Sequence, residues 1–378
     1  MKLLSAQLFA YAVPFQPLRS ESPAGPVLRR GLFLELNARA GNSSLMRGQG
    51  EMAPWPPPSG SAIQSLIAQA ETALLWLGGR ACPETAADLL ELSRRMRLEN
   101  PRLQPAVLAG LETALADLAA RRRGLPLRLW LNPAARREVP VNAVVPRSGA
   151  GLEEFVRRKL AEGIRIFKVK VGGGPPGEDR RRLEAIQRLA AGRARFRLDA
   201  NRAWTFPEAL QALNEFSDFP VEYVEEPLRA EERSRLPELF AAAGIPFALD
   251  ESLLDPESGS LWKMEGVSVL VLKPSRAGGM AACREWIARA RKTGRRFVLS
   301  SAMETGLGIA AWANWAAAWD GGGLPAGLDT LEFLADSLAE PRLKIARGAV
   351  QLPAAPGTGV QFARESRFVE LVRRVEFA

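Results

Sequence analysis

A modified parallel (β/α) barrel of the TIM type, preceded by an α+β region, is the fold this sequence predicts, and three observations predict it. From about residue 139, short apolar strands alternate with amphipathic helices, the pattern of parallel βα units. Eight such strands can be counted, at 139–145, 164–171, 195–199, 221–225, 246–250, 267–273, 296–300 and 328–333. Charged residues close these strands: Lys168 and Lys170 in FKVK, Asp199 in RLDAN, Glu225 in VEEP, Asp250 in ALDES and Lys273 in VLKPS. From Asp199 onward the steps are 26, 25 and 23 residues, each about one strand, one helix and two short loops. Strand ends of such a barrel converge on one mouth, so these side chains are expected to meet there.

The elements follow in order. Residues 1–135 read as a separate α+β body. Leu4, Ala6, Leu8 and Ala10 alternate as in a half-buried strand, and 4–12 and 31–37 form a meander. Lys2 and the apolar residues after it have a faint look of a secretory leader, but Gln7 interrupts them and the alternation favours a strand. GQGEMAPWPPPSGS (48–61) is too rich in Pro and Gly for regular structure, and helices follow at 62–76, 84–97 and 104–120. The barrel occupies 136–339. The last segment, 340–378, is expected to return to the first body. An open doubly wound sheet is the alternative, but no strand leads into a G-x-G-x-x-G turn.

Parity places the charged residues inward. Lys168 and Lys170 share a face opposite Phe167, Val169 and Val171, Arg197 and Asp199 share one opposite Phe196 and Leu198, and Asp250 opposes Phe247 and Leu249.

Composition narrows the class. At 47% hydrophobic and 25% charged the chain is an ordinary globular protein, and no apolar run approaches the roughly 20 residues of a spanning helix. Cys82 and Cys283 provide no disulfide framework, so a reducing, cytoplasmic setting is expected. The net charge of +9 raises the rival idea of a nucleic-acid-binding scaffold. Yet the arginines are scattered among glutamates on helices, and no pure run exceeds three residues, as at Arg121 to Arg123. Solvated helix faces account for them, and neither a nucleic-acid nor a membrane partner is expected. A basic field would still draw an anionic substrate to the mouth.

The arginine excess makes lysine informative. Only eight lysines stand beside 43 arginines, and three of the eight close predicted strands. Lysine offers an amine whose pKa burial can lower, whereas arginine stays protonated. Histidine is absent, so proton transfer at an active site would fall to lysine.

Three strand-end acids suit a shared hard cation. Capping of the following helix explains one such residue, but not three in succession. Oxygen-only ligands point to Mg²⁺, with Glu226 and Glu251 as alternatives wherever a strand end bulges. For Lys170 to act as a free amine its pKa must fall by roughly 2–3 units from the usual value, about 3–4 kcal/mol. Lys168 and a nearby Mg²⁺ would both disfavour its ammonium form. Lys273 approaches from the opposite side, leaving room for a substrate between two amines. GGGPPGED (172–179) is a βα loop rather than a phosphate cradle. SSAMETGLG (300–308) opens a helix and offers hydroxyls and amides to a carboxylate, and Trp312, Trp315 and Trp319 form a core stripe.

At these residues the chain resembles the enolase superfamily, whose members bind Mg²⁺ with three strand-end acids and use lysine or histidine bases around an ene-diolate. K-x-K, D-x-N, E-E-P, D-E-S and K-P-S match the branch holding muconate-lactonising enzymes, dipeptide epimerases and o-succinylbenzoate synthases, over about 165–310. RLDANRAW (197–204), GEMAPWPPPS (50–59) and GLDTLEF (327–333) resemble the synthases most. The D-x-D with which dipeptide epimerases hold a substrate ammonium is missing from LDTLEFLAD (328–336).

The resemblance implies that residues 1–135 form a capping domain completed by 340–378, with a specificity loop around Ser20–Gly25. It implies that Asp199, Glu225 and Asp250 ligate Mg²⁺ and that Lys170 and Lys273 are catalytic. Lys168, Arg197, Asn201, Ser300 and Ser301 would bind a small anionic carboxylate or support its site. The implied reaction dehydrates 2-succinyl-6-hydroxy-2,4-cyclohexadiene-1-carboxylate to o-succinylbenzoate, a step of menaquinone or phylloquinone synthesis. Racemisation of N-acylated amino acids or epimerisation of dipeptides is the alternative on the same scaffold, and a homo-oligomer is compatible with either.

Overall fold

Strand alternation at the N-terminus produces an antiparallel meander of β1 (Lys2–Pro14), β2 (Leu28–Arg39) and β3 (Met46–Met52), with inward Leu8, Leu32, Leu34 and Leu36 fully buried. This is a computed structural model, which describes residues 1–16, 27–39, 45–147, 151–174, 177–255, 259–319 and 323–377. Ser20–Gly25 lie outside the described residues.

Four helices follow: α1 (Ser61–Leu77), α2 (Ala86–Glu99), α3 (Pro105–Arg122) and the short α4 (Leu127–Leu131). Pro105 opens α3 at a position where its missing N–H costs nothing, and every residue from Ala106 to Ala120 is buried. A helix apolar on all sides belongs between layers. β3 lies where the Pro and Gly content predicted a loop. Its glycines are there for contact, because a Cβ on Gly48 or Gly50 would collide with the α3 backbone at Ala114 or Gly110. Glycine permits two backbones to touch.

The barrel strands are β4 (Glu138–Val145), β5 (Ile166–Lys170), β6 (Arg195–Asp199), β7 (Val221–Glu225), β8 (Phe247–Leu249), β9 (Val267–Leu272), β10 (Arg296–Leu299) and β11 (Ala326–Asp329). Neighbours from β4 to β10 pair in parallel, β11 pairs with β4, and an isolated bridge between Ser300 and Gly327 joins β10 to β11. Outside lie α5 (Leu152–Ala161), α6 (Glu178–Leu189), α7 (Phe206–Glu215), α8 (Leu236–Ala243), α9 (Glu251–Leu254), α10 (Pro274–Ala277), α11 (Met280–Lys292) and α12 (Gly306–Ala318). The eighth strand is shorter than predicted and ends at Asp329; residues 331–333 form a 3-10 turn. Trp312 and Trp315 are buried core on α12. Among the described residues, no helix is long and apolar enough to cross a membrane.

The C-terminal segment divides between the two layers. After the short β12 (Ala339–Glu340), the hairpin of β13 (Lys344–Ala346) and β14 (Ala349–Gln351) extends the barrel sheet beside β4. β15 (Gln361–Phe362) pairs with β12, and β16 (Val369–Glu376) pairs antiparallel with β1.

Buried carboxylates hold α3 in this arrangement. Asp117 accepts from the backbone N–H of Gln49 and of Thr358, tying β3 and the C-terminal segment to α3. Glu112, at 1% exposure, accepts from the N–H groups of Met280 (2.7 Å) and Ala281 (3.2 Å), the unsatisfied donors opening α11. Burial pushes its carboxyl up to about 7 despite those donors. A carboxyl raised in the folded state contributes stability that is complete below its unfolded pKa and lost as pH rises through the folded one. Wild type is therefore expected to lose about 3 kcal/mol relative to Glu112→Gln between pH 4.5 and pH 8. Urea unfolding of both proteins across that range checks this, and parallel curves would refute it.

Candidate active site

The mouth is built on the C-terminal ends of β5 to β10. On β5, Phe167 and Val169 are fully buried against the helices while Lys168 and Lys170 face inward. Parallel pairing sets Lys170 beside Asp199 and Asp199 beside Glu225, so three strands deliver their last residues at one level. Asp199, Glu225 and Asp250 are between 1% and 3% exposed.

Lysine ammoniums compensate these acids. Lys168 Nζ lies 3.0 Å from Asp199 Oδ2 and 2.8 Å from each carboxylate oxygen of Glu225. Lys273 pairs with Asp250, whose other oxygen is 3.5 Å from Arg276 Nη1. Burial pulls the Lys168 ammonium down, but Asp199 and Glu225 outweigh it and hold its pKa well above the usual range; Asp250 similarly raises Lys273. Burial would lift Asp199, yet Lys168 and Lys170 hold its carboxyl below the ordinary value. Glu225 goes the other way. Burial, then the charges of Asp199 and Asp250, push it up to about 8 although Lys168 opposes them.

Lys170 donates from Nζ to Asn201 Oδ1 at 2.6 Å. Asn201 holds that position with a left-handed φ of 46° and donates its backbone N–H to Asp199 Oδ1. Asn tolerates this conformation better than most residues.

The expected residues divide. Lys168, Lys170, Asp199, Asn201 and Lys273 line one cleft, and across it stand Ser300 and Ser301. Ser301 shares a 2.9 Å hydrogen bond with Thr330, the residue after β11. Glu225 and Asp250 sit just beneath this lining. Arg197 is a correction to its expected place among the substrate contacts. It is 0% exposed and runs toward the barrel floor, donating to Glu222, Asn142 and the Pro325 carbonyl at 2.7–2.8 Å. Parity gave its inward face but not its depth, and Glu222 draws the guanidinium downward.

The two alternatives to the acids also separate. Glu226, with φ 46°, turns away and braces the next loop. Its oxygens accept from Asp250 N, Ser252 N, Ser252 Oγ and Arg202 Nε. Glu251 lines the cleft with a buried Oε2 that has no hydrogen-bond partner among the described residues. Trp55, Arg276 and Thr330 also line the cleft and were not among the predicted site residues. Arg276 carries a signal in retrospect, one helical turn after Lys273 on α10. Trp55 sat unread in the proline-rich loop.

Asp329, at the end of β11, is 5% exposed and bound to the buried Lys159 of α5 at 2.7 Å. It is engaged below the mouth rather than in it.

The chemistry of this donor set accommodates a divalent cation. Among the described residues no three acids stand close enough to form a ready cage, because Lys168 and Lys273 hold the acids as ion pairs. Lys168 faces both oxygens of Glu225, yet burial and the charges of Asp199 and Asp250 still raise this carboxyl, which marks a buried position that further positive charge would suit. All-oxygen donors of this kind suit Mg²⁺.

An eight-stranded barrel with acids and amines gathered at its C-terminal mouth, under an α+β cap, defines the class as a (β/α) barrel protein with ionisable groups converging where such barrels carry their sites. Residues 151–366 match the model of the enolase C-terminal domain-like family, more than half of the chain, and the protein belongs to that family, with its likenesses in the muconate-lactonising-enzyme-like branch of the enolase superfamily. The o-succinylbenzoate synthase of Desulfotalea psychrophila is 30% identical over 242 residues, covering 62% of this chain and 64% of the relative. A hydrophobic dipeptide epimerase of Roseobacter litoralis is 32% identical over 221 residues, covering 57% and 63%. These matches thus span less than two thirds of either relative's length. The crystal structure of muconate cycloisomerase from Pseudomonas fluorescens superposes with a TM-score of 0.79 at 22% identity, over 96% of this chain and 97% of that one, a likeness of fold.

The brace on the D-E-S loop is testable. Glu226→Ala leaves Arg202 and three loop donors without their buried acceptor, and a loss of about 3–5 kcal/mol in unfolding free energy is expected. A change under about 1 kcal/mol in a denaturant titration would show that the loop holds itself.

Proposed function

We propose that this protein is a Mg²⁺-dependent lyase that dehydrates 2-succinyl-6-hydroxy-2,4-cyclohexadiene-1-carboxylate to o-succinylbenzoate, serving menaquinone or phylloquinone synthesis. The single observation that carries the reading is the pair Lys170 and Lys273, which line one cleft above three buried strand-end acids. The likeness to an o-succinylbenzoate synthase supports the choice of substrate.

In this reading Asp199, Glu225 and Asp250 hold Mg²⁺. The ion, when bound, supplies positive charge against the negative charge that develops on the substrate carboxylate. Lys170 takes the proton α to that carboxylate and returns it to the departing hydroxyl, which leaves as water as the ring becomes aromatic. Asn201 orients the Lys170 amine through its 2.6 Å contact. Lys273 holds developing charge from the other side of the cleft, and Lys168 bridges Asp199 and Glu225 and keeps Asp199 ionised. Ser300 and Ser301 meet the substrate, whose negative charge suits the surrounding cations.

The test is the dehydration assay with Mg²⁺ on wild type beside Lys170→Arg. Arginine keeps the charge but cannot serve as the base, so kcat is expected to fall about 10²–10⁴-fold. Absence of aromatic product from wild type sinks the reading; undiminished turnover in the variant sinks the role of Lys170.

A second reading, racemisation or epimerisation of an N-acylated amino acid or dipeptide, draws on the opposed positions of the two lysines and the likeness to a dipeptide epimerase. Asp329 argues against free-ammonium substrates, since Lys159 already occupies it. Deuterium exchange at Cα of N-succinyl amino acids in D₂O is expected to be slow or absent if dehydration is the sole activity. Rapid exchange that requires both lysines would favour this second reading.

A further inference from the structure

One guanidinium joins the two walls of the cleft that do not come from the lysine-bearing strands. Arg29 on β2 is 0% exposed. Its Nε donates to the Met303 carbonyl at 2.7 Å and its Nη1 to the Pro54 carbonyl at 2.7 Å. Pro54 immediately precedes Trp55, a cleft residue on the N-terminal body. Met303, with a left-handed φ of 65°, ends the cleft stretch that begins at Ser300 on the barrel.

The charges around Arg29 explain why a cation is kept there. Glu51 on β3 accepts from Thr305 N, Thr305 Oγ1 and Gly308 N at the start of α12, and from the Tyr11 hydroxyl at 2.6 Å. Glu304 accepts from Ser275 Oγ and Ala302 N. A Cβ at position 308 would strike both glutamates. Arg29 is the cation that faces Glu51 in this buried cluster. Arg29 Nη2 has no hydrogen-bond partner among the described residues, so the guanidinium is held by Nε on Met303 and by Nη1 on the Pro54 and Arg30 carbonyls.

We infer that Arg29 is a positioning residue for the substrate: it sets Trp55 against the Ser300–Met303 wall, so the width of the mouth is fixed from the N-terminal body. Among the described residues its hydrogen bonds reach neither Lys170 nor Lys273 nor any of the three acids. Its loss therefore changes how the substrate is held and leaves proton transfer intact. The kinetic part of this rests on the function proposed above; the structural part does not.

The test uses the full chain labelled with 5-fluorotryptophan, with the Trp55 resonance assigned as the one lost in Trp55→Phe. Arg29→Lys keeps a cation beside Glu51 but has no fork to reach two carbonyls. Its Trp55 resonance is expected to shift or broaden while the other eight tryptophan lines stay in place. An unmoved Trp55 line overturns the inference. So does movement of all nine lines, which would make Arg29 a general structural residue. This readout needs no substrate, so a failed dehydration assay leaves it standing. For a substrate that is turned over, KM is expected to rise about tenfold, the equivalent of roughly 1.4 kcal/mol, with kcat nearly unchanged. In a Trp55→Ala background Arg29→Lys is expected to add nothing further to KM. Additive effects, or a loss confined to kcat, overturn it.

Discussion

Lys168 stands between two carboxylates that would otherwise repel each other on neighbouring strands, and much of the mouth follows from that contact. Asp199 and Glu225 are almost wholly removed from water, where unpaired charge is far more costly than at a surface. One ammonium within about 3 Å of both makes the arrangement possible. The same contact fixes Lys168 as a charged residue and leaves Lys170, on the same face one pleat later, to turn toward Asn201. It does not fully satisfy Glu225.

The N-terminal body meets the barrel through buried acids as well as apolar contact. Glu51 accepts from the opening turn of α12, and Glu112 from that of α11. Helix starts carry unsatisfied N–H groups and partial positive charge, so a carboxylate there is doubly suited. Such contacts are directional, whereas hydrophobic burial is not. They fix the orientation of the cap, and with it the placing of Trp55 and the Ser300–Met303 wall around the lysines.

Much of this was legible in the chain because repeating βα units impose a period. Eight strands and the charged residues that end them stand out wherever strand, helix and two loops take about 25 residues. The lysines were legible for a different reason: a chain that uses arginine almost everywhere places amines at strand ends. β3 was not legible, because Gly48 and Gly50 read as loop formers while in the fold they admit the backbone of α3. Arg197 was placed on the correct face but at the wrong depth, since parity tells inside from outside and says nothing of height along a barrel.

What the sequence alone determined was the order of elements, the inward face of each strand and the chemistry available at the mouth, since these depend on local periodicity and residue type. The tertiary structure decided which acid of each E-E or D-E pair turns inward, which cation compensates it, and that Trp55 and Arg276 join the cleft. Those outcomes depend on through-space distances between side chains far apart in the chain, where Coulomb energy and steric contact act and sequence spacing carries no information.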